Sequence, residues 1–224
     1  MIIKKILKAF ISYQSTELII ASEIKGILSA FGIQSFLAHD DIRVSEEWQP
    51  KIIDELKNST FVICLLSEKY IQSAYCLQET GIALILNKPI ISLSLDNTTS
   101  PGFIAKYQSK KITEKTLSIY DIIPGLVKVN KKISIEIILE IIKNSSTYKG
   151  AEQKFELIME LLPDLTKSQA NKLMDIILNN NQIMGAGKCR NDYLPKFIQQ
   201  CSTRLPKEKI TELQKYIKPF RRKK

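Results

Sequence analysis

At 224 residues, with 44 % hydrophobic and 25 % charged side chains, the chain has the composition of a soluble globular protein with room for one ordinary domain and a small one. Four scattered cysteines and a single histidine, His39, exclude a disulfide scaffold, a zinc motif and any metal site built on several histidines. No apolar run reaches the length of a bilayer span, and the N-terminal MIIKKILKAFISY lacks the continuous apolar core and cleavage site of a signal peptide, so the expected location is the cytoplasm.

In chain order, ILKAFIS, IQSFLA, TFVICLLS and KPIISLSL are short, apolar and rich in β-branched residues, as strands are. Helical spacing separates them. Over Thr16–Phe31 the apolar residues recur at three and four, and Gly32 stops the run. Trp48, Ile52, Ile53 and Leu56 give a second helix over Glu47–Lys57, with Trp48 as its first core anchor. Ser73 caps a third over Ala74–Leu86, ended by Asn87, Lys88 and Pro89. Strand and helix alternating in this way predict an α/β domain with a parallel sheet covered on both faces. TLSIYDI, Thr116–Ile122, is the candidate fifth strand. The long loop before it holds a short helix at Gly102–Tyr107, and a helix over Ile133–Ile142 closes the domain.

After Tyr148 the texture becomes wholly helical: AEQKFELIMELL, KSQANKLMDIILN, NDYLPKFIQQC and PKEKITELQKYI. The polar stretch KNSSTYKG, Lys143–Gly150, reads as a linker, so the expected domains are 1–145 and a small all-α domain over 150–224. GAGK, Gly185–Lys188, has no preceding strand and reads as a helix–helix turn rather than a phosphate loop. Residues 1–149 hold 18 Lys and Arg against 15 Asp and Glu, and residues 150–224 hold 15 against 8, so most of the +10 net charge lies in the second part. A basic tail can attract nucleic acid. Tyr193, Phe197, Tyr216 and Phe220 are too few for a stacking surface and fit a helical core, so nucleic acid is not the expected partner.

In an open parallel sheet, ligands bind beyond the carboxyl ends of the strands. The first strand ends at Ser12-Tyr13, the second near AHDDIRVSEEW, and the third leads into SAYCLQETG. There Tyr75 and Glu79, at i and i+4, project from one helical flank. An aromatic beside a carboxylate suits a flat heteroaromatic ligand carrying a sugar. The same spacing also fits a solvated surface glutamate. Cys64 and Cys76 read as small buried residues rather than reactive thiols, and His39 as polar loop surface.

The ordered motifs AFISY, Ala9–Tyr13, then DDIRVSEEW…IIDELKNSTFVICLLSEKY, then SAYCLQE resemble a Toll/interleukin receptor (TIR) domain over about residues 5–145. The resemblance implies a flavodoxin-like fold with five parallel strands. It also implies two jobs. Some TIR domains are adaptors that associate with other TIR domains or mimic them to interfere with host signalling. Others, many of them bacterial, cleave NAD+ at the nicotinamide–ribose bond and release ADP-ribose or a cyclic isomer. Carried over, the catalytic residue is Glu79, and Tyr75 stands where the family commonly has Trp. Ser12 and Tyr13 border the pocket, and Asp40, Arg43 and Trp48 are the further candidates for binding NAD+, with Asp40, Asp41 and Arg43 equally readable as loop charges. NAD+ is the substrate, so no cofactor and no metal are expected. Val44-Ser45 replaces the family's usual Pro-Gly, and the Phe-Trp box of animal adaptors is missing. The leading expectation is an NAD-cleaving enzyme of bacterial anti-phage defence, self-associating through its TIR domain, with 150–224 docking a trigger or effector protein. The alternative is a non-enzymatic adaptor.

Overall fold

The computed structural model describes residues 7–37, 48–113 and 115–217, in two compact units, Met1–Asn130 and Lys131–Lys224. Four strands fall in the four apolar runs: β1 (Lys8–Ser12), β2 (Gln34–Leu37), β3 (Phe61–Leu66) and β4 (Ile90–Ser94). With β5 (Lys110–Lys111) they form one parallel sheet in the order β2-β1-β3-β4-β5. Every residue of β3 and β4 is buried, which is why β3 is a continuous apolar run and not an alternating one, while β4 buries two serines, Ser92 and Ser94, beside Ile90, Ile91 and Leu93.

Around the sheet lie α1 (Leu18–Ala30), α2 (Trp48–Asn58), the short α3 (Glu68–Gln72), α4 (Ala74–Ile85) and α5 (Ile119–Val129). Gly32 ends the first helix segment with φ of 71°, a left-handed conformation that only glycine adopts without steric cost. On one face of the sheet, Phe10, Val62, Cys64 and Leu66 meet Ile52 and Leu56 of α2 and Cys76 and Ala83 of α4 in a single core. Trp48 is not the core anchor expected of it. Ile52 and Leu56 do that work, and Trp48 stays 39 % exposed.

Thr116–Ile122 is also not the fifth strand. Ser118 and Asp121 make a capping box, with the Ser118 N–H donating to Asp121 Oδ2 at 3.1 Å, and the chain enters α5. Ile119, Ile122, Ile123 and Leu126 then bury one helical face. A short helix does form in the preceding loop, as a single 3₁₀ turn at Gly102–Ile104. The edge strand is instead Lys110–Lys111, pairing with Leu93 and Ser94. Its brevity and its lysines guard an exposed edge against further pairing. Gly125 brings α5 onto β4, where a Cβ would lie 2.6 Å from the Ile91 side chain.

The second unit is helical: α6 (Lys131–Lys143), α7 (Tyr148–Met159), α8 (Lys167–Leu178), α9 (Asn181–Gly185), α10 (Leu194–Cys201) and α11 (Lys207–Gln214). The helix expected to close the sheet domain is α6, and it packs inside this unit, burying Ile135, Ile138, Leu139 and Ile142. Lys143–Gly150 is not a linker. The Asn180 side chain donates to the carbonyls of Lys143 and Ser145, and Thr147 caps α7 by accepting from the Gly150 N–H. Gly185–Lys188 is a helix–helix junction, as its context predicted. Tyr193 stacks on Phe155 at 5.9 Å and Phe197 is fully buried, so both belong to the core. Phe220 lies outside the described residues. Among the described residues no helix is long and apolar enough to cross a membrane.

Candidate functional site

The strand order reverses between β1 and β3, so a crevice opens at their carboxyl ends. Ser12 is the last residue of β1 and pairs with Cys64 of β3. Beyond β3, Ser67 caps α3 by accepting from the Tyr70 N–H at 3.1 Å. Ser73, extended at φ −82° and ψ 113°, ends α3 and caps α4, accepting from the Cys76 N–H. This joint turns Tyr70 and Glu79 toward the same serine.

Ser12 Oγ lies 2.5 Å from Glu79 Oε2 and 2.8 Å from the Tyr70 hydroxyl. Tyr70 in turn lies 2.8 Å from Thr80 Oγ1, and Thr80 donates to the Cys76 carbonyl at 2.8 Å. All of these side chains are buried, Glu79 to 3 % exposure. Burial raises the Glu79 carboxyl from an ordinary 4.5 to about 7, against the lowering effect of the Ser12 hydrogen bond. The Tyr70 phenol is raised too, first by burial, as are the thiols of Cys64, to about 11, and Cys76, to about 12.

Tyr75 is 49 % exposed, and the Trp48 ring meets it edge-on, with centroids 4.9 Å apart and planes at 90°. The i, i+4 spacing therefore sets a half-exposed aromatic beside a buried carboxylate. Of the other candidates, Ser12 touches Glu79 directly and Tyr13 is fully buried. Asp40 and Arg43, like His39, lie outside the described residues.

A second carboxylate stands nearby. Glu17, in the turn after β1, accepts a hydrogen bond from Ser67 Oγ. Burial raises its carboxyl above the usual range. It lines an open cavity of about 600 Å³ with Thr16, Ser67, Lys69 and Asp96. Glu17, Tyr70 and Thr80 were not candidates from the sequence. The visible signals were Glu17 five residues past the end of the first strand, and the Ser67 cap that turns SEKY into a helix of its own.

These features define a class: an open parallel α/β domain with a buried carboxylate at its strand-order reversal. A sequence profile for the TIR domain matches residues 9–121, half of the chain, and the chain belongs to that family. Solved structures similar to it include the TIR domain of the Toll-related receptor TRR-2 from the lower metazoan Hydra magnipapillata, at 20 % identity and a TM-score of 0.44, covering 56 % of this chain and 96 % of that one. No curated protein matches.

Proposed function

We propose that this chain cleaves NAD+ at the nicotinamide–ribose bond, with Glu79 as the catalytic residue. The observation that carries the reading is the buried, upshifted carboxyl at the β1/β3 reversal, with the Trp48–Tyr75 pair beside it. The electrons of the glycosidic bond leave with nicotinamide and discharge its cationic ring, so no general acid is needed. Positive charge develops on the ribose, and ionised Glu79 stabilises it and holds the ribose hydroxyls. Water attacks C1′ and releases a proton, giving ADP-ribose. A carboxylate titrating near 7 is suited to accept that proton. Attack by another atom of the same ADP-ribose gives a cyclic isomer, and Tyr75 offers a face on which the adenine stacks. Asp40 and Arg43 complete the binding set, copies of the chain associate through the TIR unit, and the helical unit receives a trigger or effector in bacterial defence.

A second reading, a non-enzymatic adaptor, is favoured by the near-complete burial of Glu79, which also suits a structural carboxyl. Incubating NAD+ with concentrated protein, with and without a crowding agent, separates the two. Loss of NAD+ that disappears in Glu79→Ala, with an ADP-ribose or cyclic product, supports the enzyme. No turnover by the wild type under any of these conditions leaves the adaptor.

A further inference from the structure

The hydroxyls behind Glu79 form a chain whose protons can be counted. Four short links run from Glu79 through Ser12, Tyr70 and Thr80 to the Cys76 carbonyl. Each link needs one hydrogen, and the three hydroxyls supply three. If Glu79 is ionised, Ser12 donates to it, Tyr70 donates to Ser12 and Thr80 donates to the carbonyl. The Tyr70 and Thr80 oxygens then face each other at 2.8 Å with no hydrogen between them. If Glu79 carries a proton, it donates to Ser12, Ser12 to Tyr70, Tyr70 to Thr80 and Thr80 to the carbonyl, and every link is filled. In a buried site an unfilled pair is costly.

We propose that Tyr70 and Thr80 are positioning residues that, through Ser12, hold Glu79 protonated in the ligand-free protein. The groups that meet Glu79 from each packed element agree with this. Ser12 faces it from β1, Cys64 of β3 and Cys76 of α4 lie within reach of its charge, and Tyr70 of α3 and Thr80 connect to it only through Ser12. The carboxylate of Glu17 adds negative charge near Cys76. Among the described residues no Lys or Arg pairs with Glu79. A ribose hydroxyl donating to Glu79 does what its own proton does, so occupation of the site and loss of that proton are coupled. This coupling rests on the NAD-cleaving reading, whereas the proton count does not.

The test is the ¹³C carboxyl titration of Glu79 in the full chain, identified by its loss in Glu79→Gln. Tyr70→Phe and Thr80→Val each remove one hydroxyl at nearly constant shape. In either variant the links and hydroxyl hydrogens balance with Glu79 ionised, so the midpoint falls by roughly 0.5–1 pH unit, about one hydrogen bond's worth. If Tyr70 served only to strengthen Ser12 as a donor to the carboxylate, the midpoint would rise. A rise or no change in the folded variants overturns the proposal. Should both variants unfold, infrared difference spectra of wild type against Glu79→Gln at pH 6 still test the ligand-free state, because absence of a protonated carboxyl band in the wild type overturns the proposal. If NAD+ is cleaved, the ascending limb of the kcat/KM profile moves down with the midpoint in Tyr70→Phe, whereas a general loss of packing lowers the rate without moving it. If NAD+ is not cleaved, the titration still decides the proton count, and only the catalytic reading falls.

Discussion

Replacing Glu79 by glutamine removes a titrating proton while keeping the side-chain volume and a donor for Ser12. The native carboxyl titrates at about 7 against an ordinary 4.5, because burial penalises its charge. Below pH 4.5 the group is protonated in both the folded and the unfolded chain, and its stabilising effect is whole. As pH rises toward 7 the unfolded chain ionises and the native one does not, so stability is lost through this window and is level above it. At about 1.4 kcal/mol per pH unit, the loss is roughly 3 kcal/mol. Glutamine does not titrate. Urea unfolding at pH 4.5 and 8.5 should therefore show the stability of Glu79→Gln relative to wild type growing by about 3 kcal/mol across the range. Glu79 is almost fully buried, so solvent screening takes little from that figure. A difference that stays flat with pH would show that burial does not raise this carboxyl.

Two further outcomes follow from packing. Gly125→Ala forces a methyl into Ile91, and destabilises by about 1–2 kcal/mol after the gain in helix propensity, measured by urea unfolding. The double variant with Ile91→Ala should lose less than the sum of the two single changes. All four cysteines are buried and free, with Cys64, Cys76 and Cys189 raised to about 11, 12 and 12. These three thiols in the native protein at pH 8 should react with a thiol reagent at least about a hundredfold more slowly than in the denatured protein. Rapid native labelling of any cysteine would contradict this burial.

The legibility of the sequence follows from how local each signal is. The central strands are legible because β3 is buried throughout and wholly apolar, and because Ile90, Ile91 and Leu93 keep β4 mostly apolar around two small serines. The fifth is not, because two lysines at an edge carry no pattern of burial. Thr116–Ile122 has the look of a strand because Ile119, Ile122 and Ile123 are β-branched, although Ser118 and Asp121 spell a helix start. Lys143–Gly150 looked like a linker because its order comes from Asn180, far along the chain. At the site, Ser12, Tyr75 and Glu79 were found through motif and strand position. Tyr70 and Thr80 were hidden because only the folded chain brings their hydroxyls to Ser12 and to each other.

The single extended residue Ser73 sets the geometry of all this. Had the chain run as one helix from Glu68 to Ile85, Tyr70 and Glu79, nine residues apart, would point to opposite sides and stand about 13.5 Å apart along the axis. The break resets that phase. It works as a keyed coupling with no slack, so one residue added or removed beside it would rotate the carboxyl about 100° away from its serine although every named residue is still in the sequence. What the descendants of this sequence must inherit here is a count, and a change of length would disable the site more surely than most changes of letter.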